Sequence, residues 1–439
     1  MNVNVFKRCI RYNIVCIIMV LFLNVQLLTA QEVYPEKQFV LDWLSQPQVV
    51  EKYGKISDAI WSYAELGLQE FKSSKLLADN LEQAGFRVER GLAGMPTCFV
   101  ASYGTGKPVI GILGEFDALP MLSQKGRVPK QNPIIEGAPG HGCGHNIIGT
   151  AAVGAGIAAR LAAEKVGGTI LVFGTPAEEH VGGKVVMAER GAFEGIDVGM
   201  MVHPRGAHNW LGLRNLAMIN LEVEFWGKPA HASAAPWDGI NALEAMLQSF
   251  NGINSLRQHI KNNARIHGVI TDGGKVANVI PEHSAGTFMV RALDDAYLDE
   301  LSEKVLNCFK AAALSTGARL EYRWGFRCSA MRHNYTLIQL WADNMQTLGR
   351  TVQEIGDTPT GSTDMGNVSV IAPSMHPYIA ISPRPLTPHS AEFATAAASD
   401  TGMEGLIDAA KALAMTAADV ISQPEALSQI REEFLNTSK

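Results

Sequence analysis

Apolar residues return at helical intervals through residues 49–86: Ile56, Ile60 and Tyr63, then Leu76, Leu77 and Leu81, with Gly85 as a stop. Residues 97–103 and 108–114 read as strands. Residues 147–164 are rich in Ala and Gly and predict a tightly packed helix. The short apolar runs 169–174 and 197–202 predict strands buried on both faces. Strands alternating with helices imply an α/β fold around a mostly parallel sheet. Residues with chemistry fall just after these strands, where open α/β sheets place their ligands.

A different pattern opens at residue 216. It reads strand (216–225), helix (239–260), strand (265–271), strand (286–292), helix (297–316), strand (319–324). That β-α-β-β-α-β order is the ferredoxin-like α+β unit. The chain then returns to a helix at 335–353, a Gly-Ser-Thr-Asp turn at 361–364 and a strand at 378–382. The expected division is a first part at 31–214, an inserted domain at 215–328 and a second part at 329–439.

Composition adds three constraints. The chain has 439 residues, enough for two domains. Apolar residues make up 47% and charged residues 18%, so there is ample material for a buried core and a disordered chain is not indicated. The formal net charge is −6, and the first 30 residues carry Lys7, Arg8 and Arg11 with no acid, so the rest is more acidic still. An acidic body without a basic stripe argues against nucleic acid as a partner. The same 30 residues have a basic start, an apolar run at 14–23 and a small residue, Ala30, before Gln31 and Glu32. That is the pattern of a cleaved signal peptide, and it predicts export to a periplasm or the exterior. Asn24 and Gln26 interrupt the apolar run, which argues against a spanning anchor. Of the cysteines beyond the signal, Cys98, Cys308 and Cys328 read as buried thiols.

The fourth, Cys143, lies in His141-Gly142-Cys143-Gly144-His145-Asn146. Pro176-Ala177-Glu178-Glu179, then His203-Pro204, then His389 follow, and Glu115-Phe116-Asp117 precedes. A thiolate, imidazoles and carboxylates in this order suit zinc or another first-row divalent ion. In the carboxylate pair, one member can hold metal while its neighbour takes a proton from activated water. Three rival motifs fail. Gly154-Ala155-Gly156 lies inside a helical run and lacks the strand that a dinucleotide fingerprint needs. A Cys143–His145 nucleophile pair leaves Glu179, His203 and His389 unused. Ser362 lacks the Gly-x-Ser-x-Gly elbow.

These segments resemble the M20 metallopeptidase family, in its amidohydrolase branch of aminoacylases, auxin-conjugate hydrolases and aminobenzoyl-glutamate hydrolases. The resemblance runs over nearly the whole chain after the signal. It implies a metallopeptidase-type catalytic domain with an inserted lid and dimerisation domain. It implies two divalent ions, Zn or else Mn or Co, held by Cys143, His145, Glu179, His203 and His389, with Glu178 as general base. Asp117 would orient a ligand. In Gly227-Lys228-Pro229-Ala230-His231-Ala232, His231 would reach the site of a neighbouring copy and steady the oxyanion. Asn278 and Arg291 would bind the substrate's polar groups or carboxylate. The chain departs from the family in having Asn146 after Cys-Gly-His and Glu115 in place of His, which leaves Glu115 outside the expected ligand set. The expected activity is hydrolysis of an amide in N-acyl or N-aroyl amino acids or dipeptides, by a homodimer built through the lid or by a heteromer. The competing class is a non-catalytic member that binds ligand without turnover.

Overall fold

A computed structural model of the chain describes residues 35–126, 128, 132–356 and 358–437. The expected signal peptide, residues 1–30, lies outside the described residues.

The periodicity through residues 49–86 resolves into two helices, Pro47–Tyr63 and Phe71–Gln83, and not into one. Ala64 at φ 45° and Leu68 at φ 63° turn the chain between them. Glu65 fixes the turn. Its carboxylate accepts from the backbone N–H of Lys72 at 3.0 Å and Ser73 at 2.9 Å, in the first turn of the second helix. Its carbonyl accepts the Ala118 N–H at 2.8 Å, which ties the helices to the loop that follows Glu115.

The main sheet has six strands in the order Arg87–Arg90, Phe99–Thr105, Gly168–Thr175, Val109–Glu115, Val198–Met200, Ser374–Met375. The last four are mutually parallel, Phe99–Thr105 pairs antiparallel with Gly168–Thr175, and Arg87–Arg90 pairs antiparallel with Phe99–Thr105. Alternate residues serve two apolar clusters. Ile110, Ile112 and Val172 face one, and Leu113 and Phe173 face the other with Met187 and Phe193. The helix His145–Val166 lies almost against the strands. A Cβ at Gly114 would stand 2.8 Å from the Ala152 Cβ, and one at Gly156 only 2.2 Å from Val172 Cγ2. The small residues of this helix are therefore there for packing, and they let its N-terminus, with His145, sit at the carboxyl edge of the sheet.

The insertion is a four-stranded antiparallel sheet in the order Arg319–Cys328, Ala217–Trp226, His283–Ala292, Arg265–Asp272. Along Ala217–Trp226, Leu221, Val223 and Phe225 are buried, while Glu222, Glu224 and Trp226 are exposed. The buried face packs on the helices Ala242–Leu256 and Asp295–Thr316, started by the side-chain caps Asn241 and Asp294. This is the expected ferredoxin-like order.

The remaining sheet was not anticipated. Val352–Gln353, Asn209–Trp210, Tyr378–Ala380 and His203–Arg205 pair in that order. The helix expected over 335–353 ends at Thr347, and Gly349 at φ 75° leads into the first of these strands. The strand expected at 378–382 is shorter and joins this small sheet, where Tyr378 stands opposite His203. Its effect is to fix His203, Arg205 and Tyr378 side by side.

Candidate metal centre

Each expected ligand is delivered by a different local device. Cys143 and Gly144, the latter at φ 76°, end the loop that starts the helix His145–Val166. Ala177 takes φ 57° just before the short helix Glu178–Val181, and its N–H is held by the buried Glu70 carboxylate at 2.9 Å. His389 also has positive φ, 60°, and its N–H donates to the Gly142 carbonyl at 2.9 Å. Non-glycine residues forced into this region gather where function requires them.

The side chains converge. Cys143 Sγ lies 3.3 Å from His203 Nε2, and His389 Nε2 lies 3.2 Å from Glu179 Oε1. His145 Nε2 is 3.3 Å from Glu115 Oε2 and 3.9 Å from Glu179 Oε1. Donor atoms of Cys143, His145 and His203 lie within 4.8 Å of one another, as do those of Cys143, Glu179 and His389 and those of His145, Glu178 and Glu179. Asp117 takes the supporting position. One carboxylate oxygen accepts from His145 Nδ1 at 2.9 Å and the other from the Glu179 N–H at 3.0 Å. His203 donates from Nδ1 to the Pro204 carbonyl at 2.7 Å. Carboxylate and carbonyl oxygens only accept, so both imidazoles turn an Nε2 lone pair into the cluster.

A divalent ion fits this arrangement. His145 Nε2, Glu179 Oε1 and Glu115 Oε2 are buried and crowd one another and His389 at 3.2–3.9 Å, yet none makes a well-directed hydrogen bond among the described residues, an arrangement that a shared cation would satisfy. Burial lowers the His145 pKa, but Glu115, Cys143 and Asp117 outweigh it and raise it well above the ordinary value. Burial also pushes Glu178 well above the carboxylate range, with Glu115, Glu179 and Asp364 adding to it. Both shifts report a cluster short of positive charge.

The lysine in this cluster is a residue that sequence reasoning missed. Lys184 is fully buried, and its Nζ lies 2.5 Å from Glu115 Oε1 and 2.6 Å from Asp364 Oδ1. Its backbone N–H also donates to Asp364 Oδ2 at 2.8 Å. Glu115 is thus at the centre of the site, bound through one oxygen to Lys184 and turning the other towards His145. The Gly-Ser-Thr-Asp segment is more than a turn, because its Asp364 completes this triad.

A cavity of about 430 Å³ opens over the cluster, bounded by Cys143, Glu178 and His389 below and by Met289, Arg291 and Phe326 of the insertion above. Arg291 reaches it as expected and donates to Ser362 Oγ at 3.0 Å. His231 and Asn278 do not line it. They sit together elsewhere on the insertion, where the Ala232 N–H donates to the Asn278 carbonyl at 3.0 Å and His231 pairs with Val279. Cys98, Cys308 and Cys328 carry no disulfide.

Residues 211–316 match the model of the M20 peptidase dimerisation domain. The Xaa-Arg dipeptidase of Mus musculus is 35% identical over 412 residues, covering 88% of this chain and 90% of that protein. The chain belongs to the M20 peptidase family. A second relative, a p-aminobenzoyl-glutamate hydrolase polypeptide of Escherichia coli, is 37% identical over 310 residues, covering 70% of this chain and 63% of that protein. Among solved M20-like folds, an aminohydrolase from methicillin-resistant Staphylococcus aureus superposes with a TM-score of 0.72 at 19% identity, over 88% of this chain and 99% of that one. A dinuclear metal-binding M20 peptidase from Bacillus subtilis gives 0.65 at 19% identity, over 85% and 98%. As an M20 peptidase, this protein is a hydrolase of amide bonds.

Proposed function

We propose that this M20 hydrolase releases an amino acid from an N-acyl or N-aroyl conjugate or a dipeptide, with Glu178 as its general base. The observation that carries this reading is the set of buried, unpartnered donor atoms around Glu178, which opens into a cavity large enough for a small amide. Cys143, His145, Glu179, His203 and His389 would hold two divalent ions, zinc by the chemistry of a mixed thiolate, imidazole and carboxylate set. Such ions act as Lewis acids on an amide carbonyl and make water acidic near neutrality. Glu178 takes the proton of the attacking water and hands it to the leaving nitrogen, which must be protonated to depart as an amine. Asp117 keeps His145 in one tautomer and anchors the Glu179 backbone, so ligand and base stay in register. Arg291 orients the substrate from the insertion.

His231 and Asn278 cannot serve the cavity of their own chain from where they sit. Their distance from it supports a homodimer in which the insertion of one protomer carries them to the site of the other. Lys7, Arg8 and Arg11, the apolar run and Ala30 support export with cleavage before Gln31.

The test separates base from ligand. Glu178→Gln should bind metal normally and lose turnover by roughly 10²–10⁴-fold, the range for general-base removal. Glu179→Ala should lose metal. The reverse pattern would show that the two roles are exchanged.

A further inference from the structure

Beside the site lies a buried carboxylate that hydrogen-bonds neither Glu178 nor any expected metal ligand among the described residues. Glu70 is fully buried and ends the loop before the helix Phe71–Gln83. One of its oxygens accepts from Thr97 Oγ1 at 2.8 Å and the other from the Ala177 N–H at 2.9 Å. Neither partner is a cation. Burial raises the Glu70 pKa to about 7, and the charge of Asp117 adds to the rise. A buried carboxylate with no cation beside it opposes folding. What it holds is the turn that leads into the base. Ala177 is itself fully buried and has φ 57°, a conformation that disfavours any residue with a Cβ. A Cβ on Gly67 would stand 3.0 Å from the Ala177 Cβ, so the loop at 65–70 lies directly against this turn.

Glu178 follows Ala177, and the residue on its other side is held in the same way, with the Glu179 N–H donating to Asp117 Oδ2 at 3.0 Å. The base is strung between two backbone amides, each pinned by a buried carboxylate. Peptide units are rigid planes. Fixing the 176–177 and 178–179 units therefore leaves little freedom to the 177–178 unit between them, or to the side chain that projects from Glu178. The two anchors differ in reach. Asp117 also accepts from His145 Nδ1, so its loss disturbs a metal ligand. Glu70 makes no such contact. We propose that Glu70 is a positioning residue for the amide hydrolysis, which through the Ala177 N–H aims Glu178 at the attacking water and leaves the metal ligands to other supports. The inference rests on the reading of Glu178 as general base and adds what aims it. Such a residue acts through alignment, and a displacement of about 1 Å at a reacting group costs about 10²-fold in rate.

The test uses the metal-loaded protein with N-benzoylglycine, N-benzoyl-L-glutamate and L-alanyl-L-arginine, and takes kinetics on whichever the wild type cleaves fastest. Glu70→Leu removes the acceptor at similar volume. It should lower kcat about 10–10²-fold, with KM and metal stoichiometry unchanged. Glu70→Gln keeps an oxygen for the Ala177 N–H, and the Thr97 hydroxyl can turn to accept from the new amide, so it should recover most of the loss. In a Glu178→Gln background, Glu70→Leu should lower the rate no further, because no base is left to aim. Hydrogen exchange read by mass spectrometry needs no substrate. The amides of 177–181 should exchange faster in Glu70→Leu and return towards the wild type in Glu70→Gln. Glu70→Asp, which keeps the charge but withdraws the oxygens by one methylene, serves in its place if Glu70→Leu does not fold. Wild-type kcat in the variant, an equal further loss in the Glu178→Gln background, or unchanged exchange at 177–181 overturns the proposal. Failure of the underlying reading looks different: Glu178→Gln turns over like the wild type, or none of the three substrates is cleaved, while exchange at 177–181 still quickens when Glu70 is lost.

Discussion

Replacing Lys184 with Met keeps most of the side chain's volume and removes its charge. In the folded protein that ammonium is fully buried and sits between Glu115 and Asp364, each 1% exposed. The variant leaves two buried carboxylates with no cation. Breaking a buried ion pair by removing one partner costs about 3–5 kcal/mol, a large part of a typical stability of about 5–15 kcal/mol. The loss should depend on pH in a defined direction. Burial raises the Asp364 pKa, and Lys184 is the first influence holding it down. Without Lys184 it rises further, so the folded state keeps a proton that the unfolded chain releases. Stability then falls as pH climbs past the unfolded value near ~4 and levels off above the folded pKa. Urea denaturation followed by tryptophan fluorescence, in chelator at several pH values, reads this directly. The defect should be smallest near the unfolded value of about 4 and deepen as the pH rises. Adding Asp364→Asn to Lys184→Met should recover part of the loss, because it removes one stranded charge. A single variant as stable as the wild type at neutral pH, or a defect that deepens on acidification, would refute the reasoning.

Three further outcomes are expected. Elemental analysis after mild loading should find about two divalent ions per chain, and a Cys143→Ala, His145→Ala double variant should hold fewer; unchanged stoichiometry would remove both from the ligand set. His231→Ala should fold, bind metal and turn over poorly, and mixing it with Glu178→Gln should restore some activity, because a mixed dimer holds one site with its own Glu178 and an intact His231 from across the interface. No recovery after exchange of protomers, followed by native mass spectrometry, would exclude the crossed arrangement. Mass spectrometry of the exported protein should find a mature N-terminus near Gln31, and intact protein retaining Met1 in the membrane would sink the export reading.

The parts of the fold that were legible in the sequence are those in which one segment decides its own fate. Residues 109–114 and 170–174 are apolar throughout because both faces are covered, and the insertion alternates because only one face is. Cys143, His145, Glu179, His203 and His389 stood out because such residues beside Gly and Pro are conspicuous in the linear chain. What was missed depends on partners far apart in sequence. A lone Lys184 reads as a surface charge until Glu115 and Asp364 close on it. His203, Arg205 and Tyr378 come side by side only when two strands of three residues pair, and no period can be seen in three residues. The break at 64–70 was hidden because both flanking helices keep the same apolar rhythm.

The insertion leaves the catalytic unit in the strand that begins at Ala217 and returns in the strand that ends at Cys328, and these strands are neighbours, with Met218 opposite Cys328. For a folding chain this matters as topology. A detour of about a hundred residues would ordinarily burden the base with the entropy of closing a long loop, a cost that grows with the logarithm of its length. Here the detour closes itself. Once its own sheet forms, its two ends emerge side by side, and the chain before Ala217 meets the chain after Cys328 as though joined by a short link. The insertion can therefore lengthen, shorten or change its outer surface over evolutionary time with little penalty to the assembly of the base beneath it.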